Sequence, residues 1–193
     1  HVWMDVGLWT GALHAVEAIL SEYDPDHAQD YRVAAAEFEM ELNSLDAYGR
    51  TAVASIPSDR RVLVTSHDAF HYFGRAYGLE VLSVQGITTE SEAGLRRVNE
   101  LVRDIADRKI AAVFVESSVS RKSLEAVVEG VQARGGSVEI GGELYSDAMG
   151  PVGSYEGTYL GMLDHNITVV TRALGGQAPP TGRLGKLTVP SSR

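Results

Sequence analysis

From Asp59 onward the chain alternates short apolar runs with segments of helical period, and that alternation leaves few architectures open. Strands are predicted at Arg61–Thr65, Leu79–Val84, Ile110–Val115 and, more weakly, Ser137–Ile140. Helices are predicted between and after them, at Ala69–Tyr77, Ser91–Arg108, Ser120–Arg134 and Tyr155–Leu174. Strands that are apolar throughout must be buried on both faces, and helical crossovers join neighbours in parallel. The expected fold is therefore α/β: a four-stranded, mostly parallel sheet covered by helices on both faces.

Two helices precede this region. The first carries Leu8, Ala12, Ala15, Val16, Ile19 and Leu20 on one face at roughly 3.6-residue spacing. Asp24-Pro25 ends it, and a long helix is predicted from Asp26 to Ser55, stopped by Pro57. Its stripe of Tyr31, Ala35, Phe38, Leu42, Leu45, Gly49, Ala52 and Ile56 is heptad-like, and at 1.5 Å per residue the helix would run about 45 Å. That exceeds what one small lobe needs, so it reads as a backbone helix along a two-lobed body in preference to a coiled coil. Three segments result: a helical part over 1–57, an α/β lobe over 58–176, and a Pro-, Gly- and Ser-rich loose tail over 177–193.

Composition narrows the function. The formal charge of −9 disfavours a nucleic-acid partner. There are no cysteines, which removes disulfides, thiolate metal sites and thiol nucleophiles together. No Walker loop and no G-x-G-x-x-G follows a strand. No apolar run reaches membrane-spanning length. The chain opens on His1-Val-Trp-Met-Asp5 without an initiator Met and reads as a piece of a longer protein.

In a parallel sheet, ligands bind beyond the carboxyl ends of the strands. His67 follows the first strand, Glu116-Ser-Ser the third, and Asp147 the fourth, all at one edge. Ser66, Asp68, Ser117 and Asp147 could equally cap helices, and for Glu116 and Ser117 a local capping role is the preferred reading. His67 resists it, because histidine is a poor cap and Ser66 and Asp68 flank it. Imidazole with carboxylate, without thiolate, suits zinc, manganese or iron. His67 and Asp147 are the candidates for such a site, with His1 a third. His67 and His71 also form H-x-x-x-H, which opens an alternative as a zinc-dependent hydrolase, but Asp68 stands where the general-base glutamate of H-E-x-x-H belongs. His71, His14, His27 and His165 are expected packed or exposed, with Asp164-His165 at the surface.

Four segments together resemble one family. They are His1-Val-Trp-Met-Asp5, Thr65-Ser-His67-Asp-Ala-Phe-His-Tyr-Phe73, Phe114-Val-Glu-Ser-Ser-Val119, and Leu144-Tyr-Ser-Asp147-Ala-Met-Gly150 with Ser154-Tyr-Glu-Gly-Thr-Tyr159. In this order and spacing the chain is similar to the TroA/ZnuA-type metal-binding solute-binding proteins of ABC importers, up to about Gly175. The resemblance implies no catalysis and makes His1, His67 and Asp147 metal ligands. It makes the long helix an inter-lobe connector and residues 58–176 the C-terminal lobe. The family's N-terminal lobe, with a further histidine, is missing, which leaves three of four ligands. It implies Zn2+ as cargo, with Mn2+ the alternative, and an ABC transporter permease as partner. It also implies a periplasmic or extracytoplasmic lipoprotein setting. An adhesin-like interaction role is a further alternative, and the piece is expected to self-associate through the exposed helix or the surface of the missing lobe.

Overall fold

The structure is a computed structural model, and it describes residues 1–87 and 94–188. A 3-10 turn over Val2–Met4 leads into α1 (Val6–Tyr23), whose start is capped by the Asp5 carboxyl accepting from Leu8 N at 3.0 Å. A second 3-10 turn, Pro25–His27, precedes α2 (Ala28–Ala54), and a third spans Ser58–Arg60. The α/β region follows as β1 (Val62–Thr65), α3 (His71–Tyr77), β2 (Glu80–Ser83), α4 (Leu95–Arg108), β3 (Ala112–Glu116), α5 (Lys122–Ala133), β4 (Glu139–Leu144) and α6 (Tyr159–Ala173). The predicted start of α4 at Ser91 lies outside the described residues.

The sheet order is β2-β1-β3-β4 and every pairing is parallel. Successive side chains of β1 and β3 point to opposite faces, and each face has its own core. Leu63, Ala112, Phe114 and Leu144 pack with Leu45, Val53, Phe73 and Ile167 from α2, α3 and α6. Val62, Val64, Val113 and Val115 pack with Leu101, Ile105, Leu124 and Val127 from α4 and α5. Both faces are covered, which is why all of β1 and β3 is buried.

Three local expectations change. First, β4 runs from Glu139 to Leu144, beyond its predicted end at Ile140, and takes in Gly141 and Gly142. A Cβ at Gly141 would stand 2.7 Å from Ala173 Cβ and 2.9 Å from Phe114, so glycine lets α6 lie directly on the strand. Second, α6 begins at Tyr159, four residues later than predicted, because Thr158 Oγ1 accepts from Gly161 N at 3.1 Å and sets the cap there. Third, residues 177–188 are not loose. Arg183 N donates to the Asp164 carboxyl at 2.9 Å, Thr188 N to Glu156 Oε1 at 2.7 Å, and Leu187 is buried. Composition reads such a segment as mobile, but buried acceptors on the body hold it.

The two leading helices pair with each other. Of the predicted stripe, Ala35, Leu42, Leu45, Gly49 and Ala52 on α2 and Ile56 just past its end are buried, whereas Phe38 is at the surface. The predicted apolar face of α1 is largely uncovered: Leu8, Val16, Ile19 and Leu20 are exposed, and Val6 alone of that helix is buried. The main neighbour of α1 is α2, with Trp9 stacked on Tyr159 of α6, and most of the predicted apolar face is left uncovered.

Candidate metal centre

His67 stands where β1 gives way to the loop before α3, at the carboxyl edge of the sheet. Its carbonyl accepts from Thr65 Oγ1 at 2.9 Å and from Ala69 N at 3.0 Å, which turns the chain sharply and aims the ring along the sheet edge. The residue is fully buried. Glu116, at the end of the neighbouring β3 and 1% exposed, takes the His67 backbone N–H on Oε1 at 2.8 Å. Its Oε2 sits 2.7 Å from Nδ1, off the line of a well-aligned hydrogen bond. Nε2 has no aligned hydrogen-bond partner, although it is buried, and the nearest acid to it is Asp147 Oδ2 at 3.3 Å.

Asp147 lies in the loop after β4. Asn166 of α6 clamps the root of that loop, accepting from Tyr145 N at 3.0 Å and donating to Tyr145 O at 2.7 Å. Ser146 is held from two sides, by the Trp3 indole N–H on its carbonyl at 3.1 Å and by Ser118 Oγ at 3.0 Å. Trp3 brings the start of the chain here, and Tyr159 O–H donating to Trp3 O at 2.8 Å keeps it in place. His1 therefore arrives with Nε2 3.1 Å from Asp147 Oδ1, its ring edge-on to both Trp3 and His67.

One donor atom from each of His1, His67 and Asp147 lies within 4.8 Å of the others, and this is the one three-donor group among the described residues. Two donors about 2.0–2.1 Å from one tetrahedral ion stand about 3.3 Å apart, close to the 3.1 and 3.3 Å from the Asp147 oxygens to the two Nε2 atoms. The unpartnered, buried Nε2 of His67 is the atom such an ion would satisfy. The set therefore fits a divalent cation with N and O preference. His67 is sealed while the Asp147 side chain is 37% exposed, so the site opens on the carboxylate's side. Burial opposes charging of the His67 ring, but Glu116, then Asp147 and Asp68, outweigh it and raise the pKa above the usual imidazole value. A proton therefore competes for the ring when no cation is present.

His67, Asp147 and His1 are thus brought together, and His71 is not. Its ring is exposed and turned to Asp68 at 3.1 Å, away from His67, so the H-x-x-x-H pair shares no cation. His14 and His27 meet Glu39 and Asp24 at the surface. Two sequence readings are corrected. Glu116 does not cap a helix; it orients His67, and the signal for this was a carboxyl group closing an otherwise apolar, doubly buried strand. Asp164 is not at the surface but fully buried, and His165 is half-buried against Tyr145 with Nε2 2.9 Å from Glu143 O.

The fold is thus a parallel α/β sheet with three candidate donors gathered at its carboxyl edge and a long helix packed at its flank. Residues 1–173 match the family described as zinc-uptake complex component A, periplasmic (ZnuA), and the chain belongs to that family. It is 52% identical over 174 residues to the manganese-binding lipoprotein MntA of Bacillus subtilis (strain 168), covering 90% of this chain and 57% of that protein. It is 49% identical over 174 residues to the zinc-binding protein TroA of Treponema pallidum (strain Nichols), covering 90% of this chain and 56% of that one. The solved structure of the periplasmic zinc-binding protein TroA from Treponema pallidum superposes with a TM-score of 0.87 over 90% of this chain and 63% of that chain. The chain thus spans little more than half the length of these curated relatives.

Proposed function

We propose that this chain is the connector and C-terminal lobe of an extracytoplasmic solute-binding protein that captures a divalent transition metal for an ABC importer. The single observation that carries this is the convergence of His1, His67 and Asp147, with a buried His67 Nε2 that has no aligned protein partner. In this reading the metal is cargo and no reaction is catalysed. Two neutral imidazoles and a carboxylate replace part of its water shell, and closure against a further lobe removes the rest, strengthening each contact. Residues 1–57 supply His1 and the stiff α2, and residues 58–176 supply His67 and Asp147. Zinc is the favoured cargo, since two imidazoles and one carboxylate suit it. Manganese is the alternative, supported by the manganese-binding name of a 52%-identical relative.

A membrane permease is the partner for release, and the setting is periplasmic or extracytoplasmic. The exposed Val16 and Ile19 of α1 with Val33 and Met40 of α2 support self-association of this chain, which light scattering measures. The metal reading is tested by zinc titration calorimetry on His67→Ala and Asp147→Ala. Both lose at least an order of magnitude in affinity, the scale at which removing a ligand or its supporting group acts. Wild-type affinity in both variants would refute the assignment.

A further inference from the structure

Asp164 is a fully buried carboxyl within α6. Its partners are Tyr155 O–H on Oδ2 at 3.1 Å, the more distant Thr168 Oγ1 at 3.4 Å, and the backbone N–H of Arg183 shared between both oxygens at 2.9 and 3.1 Å. Arg183 belongs to the 177–188 segment, beyond residue 173 where the family match ends. A buried acid is costly unless its oxygens are satisfied, so the segment completes Asp164.

The same segment is fastened at four further points, the first being Arg172 Nη1 of α6 donating to Ala178 O at 2.9 Å. Gln177 N donates to Ser55 Oγ at 2.7 Å at the end of α2. The Arg183 guanidinium donates to Ser44 Oγ at 2.6 Å and to Glu41 Oε2 at 3.0 Å, in the middle of α2. Thr188 N donates to Glu156 Oε1 at 2.7 Å. Between these ties the chain coils on itself, with Gly182 N on Pro179 O and Leu187 N on Thr181 O, both at 3.0 Å, and it buries Leu187.

Glu156, tied to Thr188, and Tyr155, whose ring faces the Lys186 ammonium at 5.6 Å, belong to the returning limb of the 145–158 loop. The outgoing limb carries Asp147. The limbs are tied together by Gly150 N donating to Glu156 O at 2.8 Å, three residues past Asp147. Asp147 itself is over a third exposed, and its backbone is clamped on the near side through Ser146. On the far side the Gly150–Glu156 bond is the tie, and Glu156 is held by Thr188.

We propose that residues 177–188 form a strap that joins α2 and α6 to the Asp147 loop, and that Asp164 and Glu156, its two acceptors on the lobe, are positioning residues for the Asp147 carboxylate. This rests on the metal-capture reading above. Removing the strap lets the far limb of the loop move, so Asp147 must be ordered each time a cation binds, and affinity falls.

The test uses the full chain, a version ending at Gly176, and Glu156→Ala and Glu156→Gln. Amide exchange of the 145–158 loop is followed without metal, and zinc affinity is measured separately. The shortened chain and Glu156→Ala exchange the loop roughly tenfold faster, with α4 and α5 unchanged. Both bind zinc about tenfold more weakly, the low end for groups that orient a ligand. Glu156→Gln, whose amide oxygen still accepts from Thr188 N, restores both. Unchanged loop exchange in the shortened chain overturns the proposal. So does faster exchange with unaltered zinc affinity while Asp147→Ala loses binding. If Asp147→Ala binds zinc normally, the metal reading itself has failed, and the metal-free exchange data then decide whether the strap holds the loop.

Discussion

Replacing Glu116 by Gln probes how a single buried group prepares His67. The wild-type carboxyl meets one residue twice: Oε1 accepts the His67 backbone N–H at 2.8 Å, and Oε2 stands 2.7 Å from Nδ1, off the line of a well-aligned bond. An acceptor at Nδ1 favours the tautomer with its proton there, which leaves the Nε2 lone pair facing His1 and Asp147. A glutamine has one acceptor and one donor in the same volume. If its oxygen keeps the backbone N–H, its NH2 faces Nδ1 and draws the ring proton to Nε2, the wrong nitrogen for a cation. If the amide flips, its NH2 opposes the His67 N–H at hydrogen-bond distance. Either arrangement leaves one buried mismatch, worth roughly 1–3 kcal/mol. Zinc affinity then drops between about fivefold and about a hundredfold, since 1.4 kcal/mol is tenfold. Titration calorimetry measures the loss, and 15N shifts of the His67 imidazole report which nitrogen carries the proton. A folded Glu116→Gln variant with wild-type affinity and unchanged imidazole shifts would refute this account of Glu116.

Three shorter predictions accompany it. Trp3→Phe keeps the ring against His1 but loses the indole N–H to Ser146 O, so zinc affinity falls by about tenfold at little cost in thermal stability. Equal affinity in titration would show the Trp3–Ser146 bond to be idle. Gly161→Ala drives a Cβ to 1.8 Å from Tyr155 O, a backbone atom, and destabilises the chain by about 1–3 kcal/mol, read as a lower unfolding midpoint in denaturant. For Glu156, burial raises the pKa, but hydrogen bonds from the Thr188 backbone N–H, its own backbone and the Thr188 side chain, with the charge of His165, together outweigh it, and the carboxyl is held below its usual 4.5. A depressed acid contributes stability above its unfolded pKa and loses it as pH falls through the folded one. The Thr188 amide resonance therefore stays fixed from neutral pH down to the ordinary carboxylate range and shifts only below it. Movement nearer neutrality would contradict the tie.

Local pattern was enough to read much of this molecule. Strands such as Val62–Thr65 and Ala112–Glu116 are apolar at every position, and only a sheet covered on both faces buries both sides of a strand. Parallel crossovers then put the ends of β1, β3 and β4 at one edge, and His67 and Asp147 with them, before any coordinates are known. The sequence alone thus determined the fold class and which edge carries the polar residues.

What it left open concerns contacts between residues far apart in the chain. His1 meets Asp147 across 146 positions because Trp3 and Tyr159 pin the chain's start, and Glu116 meets His67 across 49 because β1 and β3 are neighbours. Asp164 reads as surface beside a histidine, yet it lies in the core, where the 177–188 segment supplies its missing donor. The face of α1 shows the reverse: its apolar period is clear, but most of it stays uncovered among the described residues. Periodicity states which side of an element prefers burial. Whether a partner arrives there, and whether it brings a donor or an acceptor, depends on how distant segments pack, and only the tertiary structure decides that.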